Sequence, residues 1–126
     1  MGEKTIAIFD FDGTLTNSDT FLPFLLHCFG KLRVFFGLIY TAPYTIGYFL
    51  NIISNHIAKE KIVSHFFRGL ENKTVEKFAV QYCEVIEKNL RMRMIERLKW
   101  HQDNKHVTIL ISASLNVYVK KWAEKY

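Results

Sequence analysis

The chain of 126 residues has the length of one ordinary domain, and its 49% hydrophobic and 23% charged residues exclude an intrinsically disordered protein. The formal net charge of +5 comes from the second half, because residues 1–58 hold three Lys or Arg and four Asp or Glu. We expect no nucleic-acid partner, because no run of Lys and Arg with interleaved aromatic residues is present. We expect the basic residues of the second half to lie on solvated helix faces. The alternative is a basic surface that attracts phosphate esters or anionic lipid.

Two apolar runs near the two ends of the chain predict β-strands. The first, "TIAIF" over residues 5–9, is typical of a parallel-sheet strand covered on both faces, and Gly13 then permits a sharp turn. The second, "HVTILIS" over 106–112, precedes a helical pattern that continues to Tyr126. A strand, a long crossover, a second strand and a helix together predict an α/β protein.

The segment between the strands is predicted to be entirely helical. Residues 20–56 are strongly apolar and are interrupted by glycines and a proline, which favours two or three packed helices. Three more helices are expected over 57–67, 74–90 and 93–103, the second of them capped by Asn72 or Thr74. We therefore divide the chain into a core made of 1–17 and 104–126, and a helical cap with a return helix over 18–103.

Residues 34–58 contain no Asp, Glu, Lys or Arg and are long enough to span a bilayer. A single span would place the two strands on opposite sides of the membrane, where they could not share a sheet. We therefore predict a buried helical hairpin broken at Pro43 and Gly47. Contact of residues 20–56 with a membrane surface, or with an apolar substrate, is the alternative.

Cys28 and Cys83 are the two cysteines of the chain, and both lie in apolar helical patterns. Buried free thiols in a reducing compartment are the favoured interpretation, and a disulfide is the alternative. No secretory signal is expected, because "MGEK" runs directly into the first strand. We therefore expect a cytoplasmic protein.

Asp10 and Asp12 lie one residue apart where the first strand should end. Two carboxylates so close repel each other, and a hard divalent cation such as Mg²⁺ would offset that repulsion. Ligands of open parallel sheets bind beyond the carboxyl ends of the strands. The pair suits phosphoryl transfer, with one carboxylate as nucleophile and the other as acid and base. The alternative is an ordinary acidic turn.

The second strand ends in Ser112, Ala113 and Ser114, just before the last helix. A hydroxyl and backbone N–H groups at a helix start can bind a phosphate. Pairing of the strands would place Ser112 beside Asp10. For Ser112 we favour the phosphate role, and for Ser114 we favour helix capping.

These motifs resemble those of the haloacid dehalogenase superfamily. "DFDGTLT" is similar to its first motif and "VTILISAS" to its second, and the helices between them resemble the cap of the phosphoserine-phosphatase-like branch. The resemblance implies a partial Rossmann-like core with an inserted all-helical cap. It also implies that Asp10 is the nucleophile and a metal ligand, and that Asp12 is the acid/base and binds the metal through its backbone carbonyl. Ser112 and the Ala113 amide would bind the phosphate. Gly13 and Thr14 would shape the loop.

The implied activity is Mg²⁺-dependent hydrolysis of a small or apolar phosphate monoester through an aspartyl-phosphate, with the choice between a phosphoserine-like ester and a lipid phosphate left open. Asp19 is a weak candidate for substrate contact, and a helix N-cap or first-turn acid is as good an interpretation. Arg68 is a second weak candidate, for which a place on the cap surface is favoured.

The superfamily also uses a third motif with a lysine and a fourth with an acidic loop, and neither has a convincing match here. We therefore expect a version truncated after the second motif, or one whose remainder another chain supplies, and in either case less than full activity. The alternative function is non-catalytic: a phosphate- or metal-binding fragment, or a helical module at a membrane surface.

Overall fold

Two short parallel strands pair the beginning of the chain with its last third. The computed structural model describes residues 2–126, so Met1, which belongs to the predicted core segment 1–17, lies outside the described residues. Strand β1 is Ile6–Asp10 and strand β2 is Val107–Ile111, and the register runs from Ile6 opposite Val107 to Asp10 opposite Ile111. Both predicted strands are confirmed.

The helices confirm the predicted order of elements. Between the strands lie α1 (Phe21–Phe29), α2 (Lys31–Tyr40), α3 (Ala42–Phe49), α4 (Asn55–Phe67), α5 (Asn72–Glu87) and α6 (Met92–Asp103), and α7 (Asn116–Ala123) follows β2. The predicted N-cap of α5 at Asn72 or Thr74 is wrong, because Glu71 holds that position and makes no side-chain cap bond. The division of the chain at residues 18 and 103 stays a prediction.

The main core lies on one face of the sheet. Phe9 of β1 packs there with buried side chains of α5, α6 and α7, including Ala79, Leu98 and Trp122. A second, smaller core joins α1, α2 and α4 through Phe21, Leu25, Val34, Ile62 and Phe66. Both cysteines are free, Cys83 is buried, and burial raises the pKa of the Cys28 thiol to about 12.

The other face of the sheet is apolar and uncovered, which contradicts the prediction of strands covered on both faces. Side chains alternate along a strand, so the residues on this face are Ile6, Ile8, Val107, Ile109 and Ile111. Each of these side chains is at least 42% exposed. The prediction fails because the helices that cover the sheet in residues 2–126 pack against its other face.

The predicted hairpin of residues 34–58 forms, but its helices are separated at Thr41 rather than at Pro43 and Gly47, which lie inside α3. The prediction that the hairpin is buried is also wrong. Helix α2 buries Val34 and Gly37, and α3 buries no residue. Gly37 lies against the Phe66 ring of α4, so α2 packs on α4 through the side that carries its small residue. The large apolar side chains of α2 are left exposed on the other side. Within residues 2–126, no single helix combines the length and apolarity that a membrane span needs; α1 and α2 do so only jointly, with a 120° bend between them.

Gly37→Ala should destabilise the protein, although alanine normally favours a helix by about 1 kcal/mol. An added Cβ would overlap the Phe66 ring, and overpacking of this kind costs about 1–3 kcal/mol. Urea unfolding followed by circular dichroism measures the change. Gly47→Ala in α3 is the control, because its Cβ would meet only Ile53 Cγ1 at 3.3 Å. Equal stability of the two variants would contradict the close approach of α2 to α4.

Candidate active site

Asp10 ends β1 with its carboxylate exposed to solvent. Its Oδ1 accepts the Phe11 N–H at 2.9 Å, and its Oδ2 accepts the Thr14 hydroxyl at 3.4 Å. Both contacts come from the loop that follows the strand, so the loop orients the carboxylate without covering it. The placement of Asp10 at the end of the strand agrees with the sequence analysis, while its role there stays a prediction.

The loop after β1 is a kinked turn over Phe11–Leu15, in which Asp12 and Gly13 have non-helical backbone angles. The Thr16 N–H closes it on the Phe11 carbonyl at 3.1 Å, and the Thr16 hydroxyl accepts the Gly13 N–H at 3.1 Å. Gly13 has φ +72°, a left-handed conformation that a side chain would strain. The Arg91 N–H, bonded to the Leu15 carbonyl at 2.7 Å, ties the turn to the start of α6.

The Asp12 carboxylate is held by hydrogen-bond donors from two distant segments. Its Oδ1 accepts the Thr20 N–H at 2.9 Å and the Thr20 hydroxyl at 2.5 Å. Its Oδ2 accepts the Ser114 hydroxyl. Thr20 precedes α1 and Ser114 precedes α7, so one half-buried carboxylate joins the loop after β1 to the beginnings of both helices.

Two buried tyrosines complete this network. The Thr20 hydroxyl donates its proton to Asp12, so it can only accept from Tyr118. The Tyr118 hydroxyl therefore donates to Thr20 Oγ1, at a distance of 2.9 Å. The Tyr82 hydroxyl donates to the Thr20 carbonyl at 2.7 Å. Burial, with a smaller contribution from the charges of Asp12 and Asp19, raises the pKa of Tyr118 to about 12, and burial also raises the pKa of Tyr82. Both phenols are therefore neutral donors at physiological pH.

The loop after β2 lies beside Asp12 through the Ser114 hydroxyl, and its first residue, Ser112, directly follows Ile111, the register partner of Asp10. Ser112 Oγ accepts the Ser114 N–H at 3.0 Å, which leaves the Ser112 O–H free to donate to a phosphate. The predicted capping role of Ser114 is wrong: Leu115 is the N-cap of α7 and the Ser114 hydroxyl bonds Asp12. The phosphate role of Ser112, Ala113, Gly13 and Thr14 stays a prediction.

Lys59 of α4 reaches the same loop from the cap. Its Nζ donates to the Ala113 carbonyl at 3.3 Å and lies 5.3 Å from the centre of the Phe21 ring. A cavity of about 410 Å³ opens here between α4 and the loop, lined by Lys59, Ala113 and Ser114 among others. A cation thus lies beside the predicted phosphate-binding loop.

The two weak substrate candidates lie in different places. Asp19 is exposed, and its charge contributes to the raised pKa of Tyr118, so it lies near the Asp12 network. The N-cap of α1 is Thr20, so the N-cap alternative for Asp19 is wrong. Arg68 lines a second cavity, of about 660 Å³, together with Tyr40 and Lys61 on the cap. Neither residue lines the cavity beside Ala113.

Sequence analysis missed Thr20, Tyr82, Tyr118 and Lys59. Thr20, Tyr82 and Tyr118 gave no local signal, because the hydrogen bonds that join them to Asp12 and to one another span between 8 and 98 positions of the chain. Nothing in the sequence pointed to Lys59, because its contact with Ala113 spans 54 positions and depends on how α4 packs.

The donor atoms present suit a magnesium ion in part. Mg²⁺ takes one or two carboxylates and completes its octahedron with water and substrate oxygens. The Asp10 carboxylate is exposed and can serve, whereas both oxygens of the Asp12 carboxylate are engaged by hydroxyl donors. This leaves Asp12 its backbone carbonyl as a ligand. Among residues 2–126 no group of three or more His, Cys, Asp or Glu side chains could hold a metal.

Comparison with known proteins identifies the family. Residues 7–126 match the family model of the haloacid dehalogenase-like hydrolases. The chain belongs to this family of hydrolases. The match covers every helix and, apart from Ile6, both strands, so the resemblance inferred from "DFDGTLT" and "VTILISAS" is confirmed at this level. No curated protein sequence matches the chain.

A solved structure confirms the fold. It is a phosphoserine phosphohydrolase-like protein from Francisella tularensis subsp. tularensis SCHU S4, which is 20% identical to this chain with a TM-score of 0.61. The match covers 98% of this chain and 53% of the Francisella protein, so the chain spans about half of that protein's length. The predicted partial Rossmann-like core with an inserted helical cap is therefore confirmed.

Thr20→Val should destabilise the protein by about 1–3 kcal/mol, because valine keeps the shape but leaves the Tyr118 hydroxyl buried without its acceptor. Urea unfolding measures the change. Ser18→Ala is the matched control, since it removes a hydroxyl that bonds Asn89 in an exposed setting, and it should stay within about 0.5 kcal/mol of wild type. An equally small effect of Thr20→Val would argue against the Asp12–Thr20–Tyr118 network.

Proposed function

We propose that the protein is a Mg²⁺-dependent phosphomonoester hydrolase that acts through an aspartyl-phosphate on Asp10. One observation supports the proposal: the Ser114–Asp12 hydrogen bond joins the loop after β1 to the loop after β2, so two carboxylates lie beside the proposed phosphate-binding loop. The substrate is a small or apolar phosphate ester, either phosphoserine-like or a lipid phosphate. The cytoplasm is the proposed location.

In the first step, an Asp10 carboxylate oxygen attacks phosphorus, an O–P bond forms, and the P–O bond to the leaving group breaks. Asp12 enters this step protonated and gives that proton to the leaving oxygen, which leaves Asp12 as a carboxylate. In the second step, Asp12 takes a proton from water, whose oxygen attacks the phosphorus and releases Asp10 and inorganic phosphate. Thr20 and Ser114 fix the Asp12 carboxylate in both steps. A bound Mg²⁺ supplies positive charge that lets an anionic nucleophile approach an anionic ester.

The phosphate oxygens are bound by the Ser112 hydroxyl and the Ala113 amide, and Gly13 and Thr14 shape the facing loop. Lys59 adds a positive charge at the same place, because its ammonium group already lies on the loop at Ala113. Asp19 and Arg68 remain proposals for substrate contact. Arg68 would require a substrate long enough to reach the second cavity.

Full activity is proposed to need groups beyond those described, namely a further lysine and a further acidic side chain for the metal. Support comes from the engaged Asp12 carboxylate and from the lack, within residues 2–126, of a third acidic side chain grouped with Asp10 and Asp12. Those groups are proposed to come from a missing C-terminal portion or from an oligomeric partner.

Asp10→Asn in the native full-length protein should reduce Mg²⁺-dependent release of phosphate from an aryl phosphate by at least about a thousandfold, because an amide is a poor nucleophile. A colorimetric phosphate assay with and without EDTA measures it. Glu3→Gln, a change at an exposed acidic residue before β1, is the control and should keep wild-type turnover. Failure of the folded wild-type protein to hydrolyse any of a panel of phosphate esters would instead favour a non-catalytic phosphate- or metal-binding module.

Lys59→Met should lower kcat/KM for the same ester by about ten- to a hundredfold, because it removes the positive charge that lies beside Ala113 in the proposed phosphate-binding loop. Lys61→Met is the matched control: it lies on the same helix but lines the other cavity. The control should change kcat/KM by less than about twofold. Equal effects of the two variants would show that Lys59 acts only through the general positive charge of α4.

A further inference from the structure

Helix α2 exposes the apolar side that an amphipathic helix normally buries. Its residues at successive three- and four-residue steps lie on one face of the helix and are Leu32, Phe35, Phe36, Ile39 and Tyr40. These side chains are between 56% and 76% exposed. The buried side of α2 is narrower, with Val34 and Gly37 against α4. A helix of this pattern whose apolar side faces outward has a surface that a partner should cover.

Further apolar side chains are exposed on α3 and the turn after it, where Ile46, Phe49, Leu50 and Ile52 are each at least 55% exposed. We call these nine residues of α2, α3 and the following turn the apolar hairpin face. So many exposed apolar side chains within 21 consecutive residues are uncommon on a soluble monomer and mark an interaction site. Phe35, Phe36, Tyr40 and Phe49 make the face rich in aromatic rings, which favour the boundary between hydrocarbon and water.

The stretch of sequence that contains the apolar hairpin face carries formal charge of one sign only. No Asp or Glu occurs between Asp19 and Glu60, whereas Lys31, Arg33 and Lys59 lie in that interval. The two cations of α2 are exposed, and the Arg33 guanidinium lies 4.8 Å from the centre of the Phe29 ring. The neighbouring surface therefore attracts anions.

A basic cavity lies next to the apolar hairpin face. This space of about 660 Å³ lies between α4 and the junction of α2 with α3. Tyr40 belongs both to the cavity and to the apolar hairpin face, and Lys61, His65 and Arg68 line the α4 side. The Lys61 ammonium lies 5.8 Å from the centre of the Tyr44 ring. The arrangement offers cationic and hydroxyl groups beside an apolar surface, which matches an anionic headgroup above acyl chains.

We propose that the apolar hairpin face docks the protein on the surface of an anionic lipid bilayer. Helices α2 and α3 lie in the interface, the aromatic and aliphatic side chains enter the acyl boundary, and Lys31, Arg33 and Lys61 face the headgroups. The hairpin does not span: ten residues of α2 extend about 15 Å, half of a hydrocarbon core of roughly 30 Å.

A lipid surface fits better than a second copy of the chain. A symmetric dimer through this face would bring the cations of the two hairpins together without any acidic residue of the 20–59 segment to pair with them. An anionic bilayer offers the opposite charge and an apolar layer at the same surface. The docking is independent of the proposed hydrolase activity, so it can be tested by binding alone.

The test is flotation of the full chain with two kinds of vesicle, one of phosphatidylcholine alone and one of two parts phosphatidylcholine to one part phosphatidylserine. We expect binding to the second kind that weakens as salt is raised. Phe36→Asp and Phe49→Asp should each weaken it at least about tenfold, because they place a charge where an aromatic ring is buried in lipid. Lys31→Gln should weaken it about fivefold through the lost attraction to phosphatidylserine.

Val80→Asp and Met92→Asp are the matched controls, because these side chains are 56% and 60% exposed on α5 and α6, outside the apolar hairpin face. They should bind within about twofold of wild type. Circular dichroism confirms that each variant is folded. No binding of the folded wild type to either vesicle, or equal loss in the controls, would overturn the proposal. A dimer that Phe36→Asp dissociates, with no vesicle binding, would assign the face to a second copy.

Discussion

The geometry of the site depends on the hydrogen bonds that the Asp12 carboxylate accepts. It accepts hydrogen bonds from Thr20 and Ser114, so it joins the turn after β1 to the start of the first cap helix and to the start of α7. A half-buried carboxylate needs such partners, because burial without them is costly. Removing any one donor would loosen the contact between the cap and the strand ends as well as the carboxylate itself.

The core explains why this contact forms where it does. Helices α5, α6 and α7 pack on one face of the sheet, and the aromatic rings of Phe24, Tyr82 and Tyr118 lie in contact beneath Thr20. Their packing supplies the energy that holds Thr20 in place, while the two phenols supply the hydrogen bonds that a buried threonine requires. The hydrophobic core and the polar network therefore support each other at the end of the sheet.

Two groups of exposed apolar side chains are left uncovered by the described residues. One is the outer face of the sheet, and the other is the apolar hairpin face of the cap. The sheet face consists of β-branched side chains at paired positions, as in parallel sheets that are covered on both sides. The hairpin face is rich in aromatic rings, and α2 also carries the exposed cations Lys31 and Arg33. These compositions favour different neighbours, protein for the first and lipid for the second.

The sequence by itself determined the parallel strands, the helical insert, and the placement of Asp10, Asp12 and Ser112 at the two strand ends. It could do so because apolar runs, glycine turns and motif spacing are local signals, and because the carboxyl ends of paired parallel strands must meet. Tertiary structure decided what those signals do not contain. The partners of Asp12 lie eight and 102 positions away in the chain, and Lys59 meets Ala113 across 54 positions. Which side of α2 is exposed was also decided by the tertiary structure. An apolar stripe has the same residue spacing whether it faces a protein core or solvent. The close packing of Gly37 on Phe66 sets which side of the helix is buried.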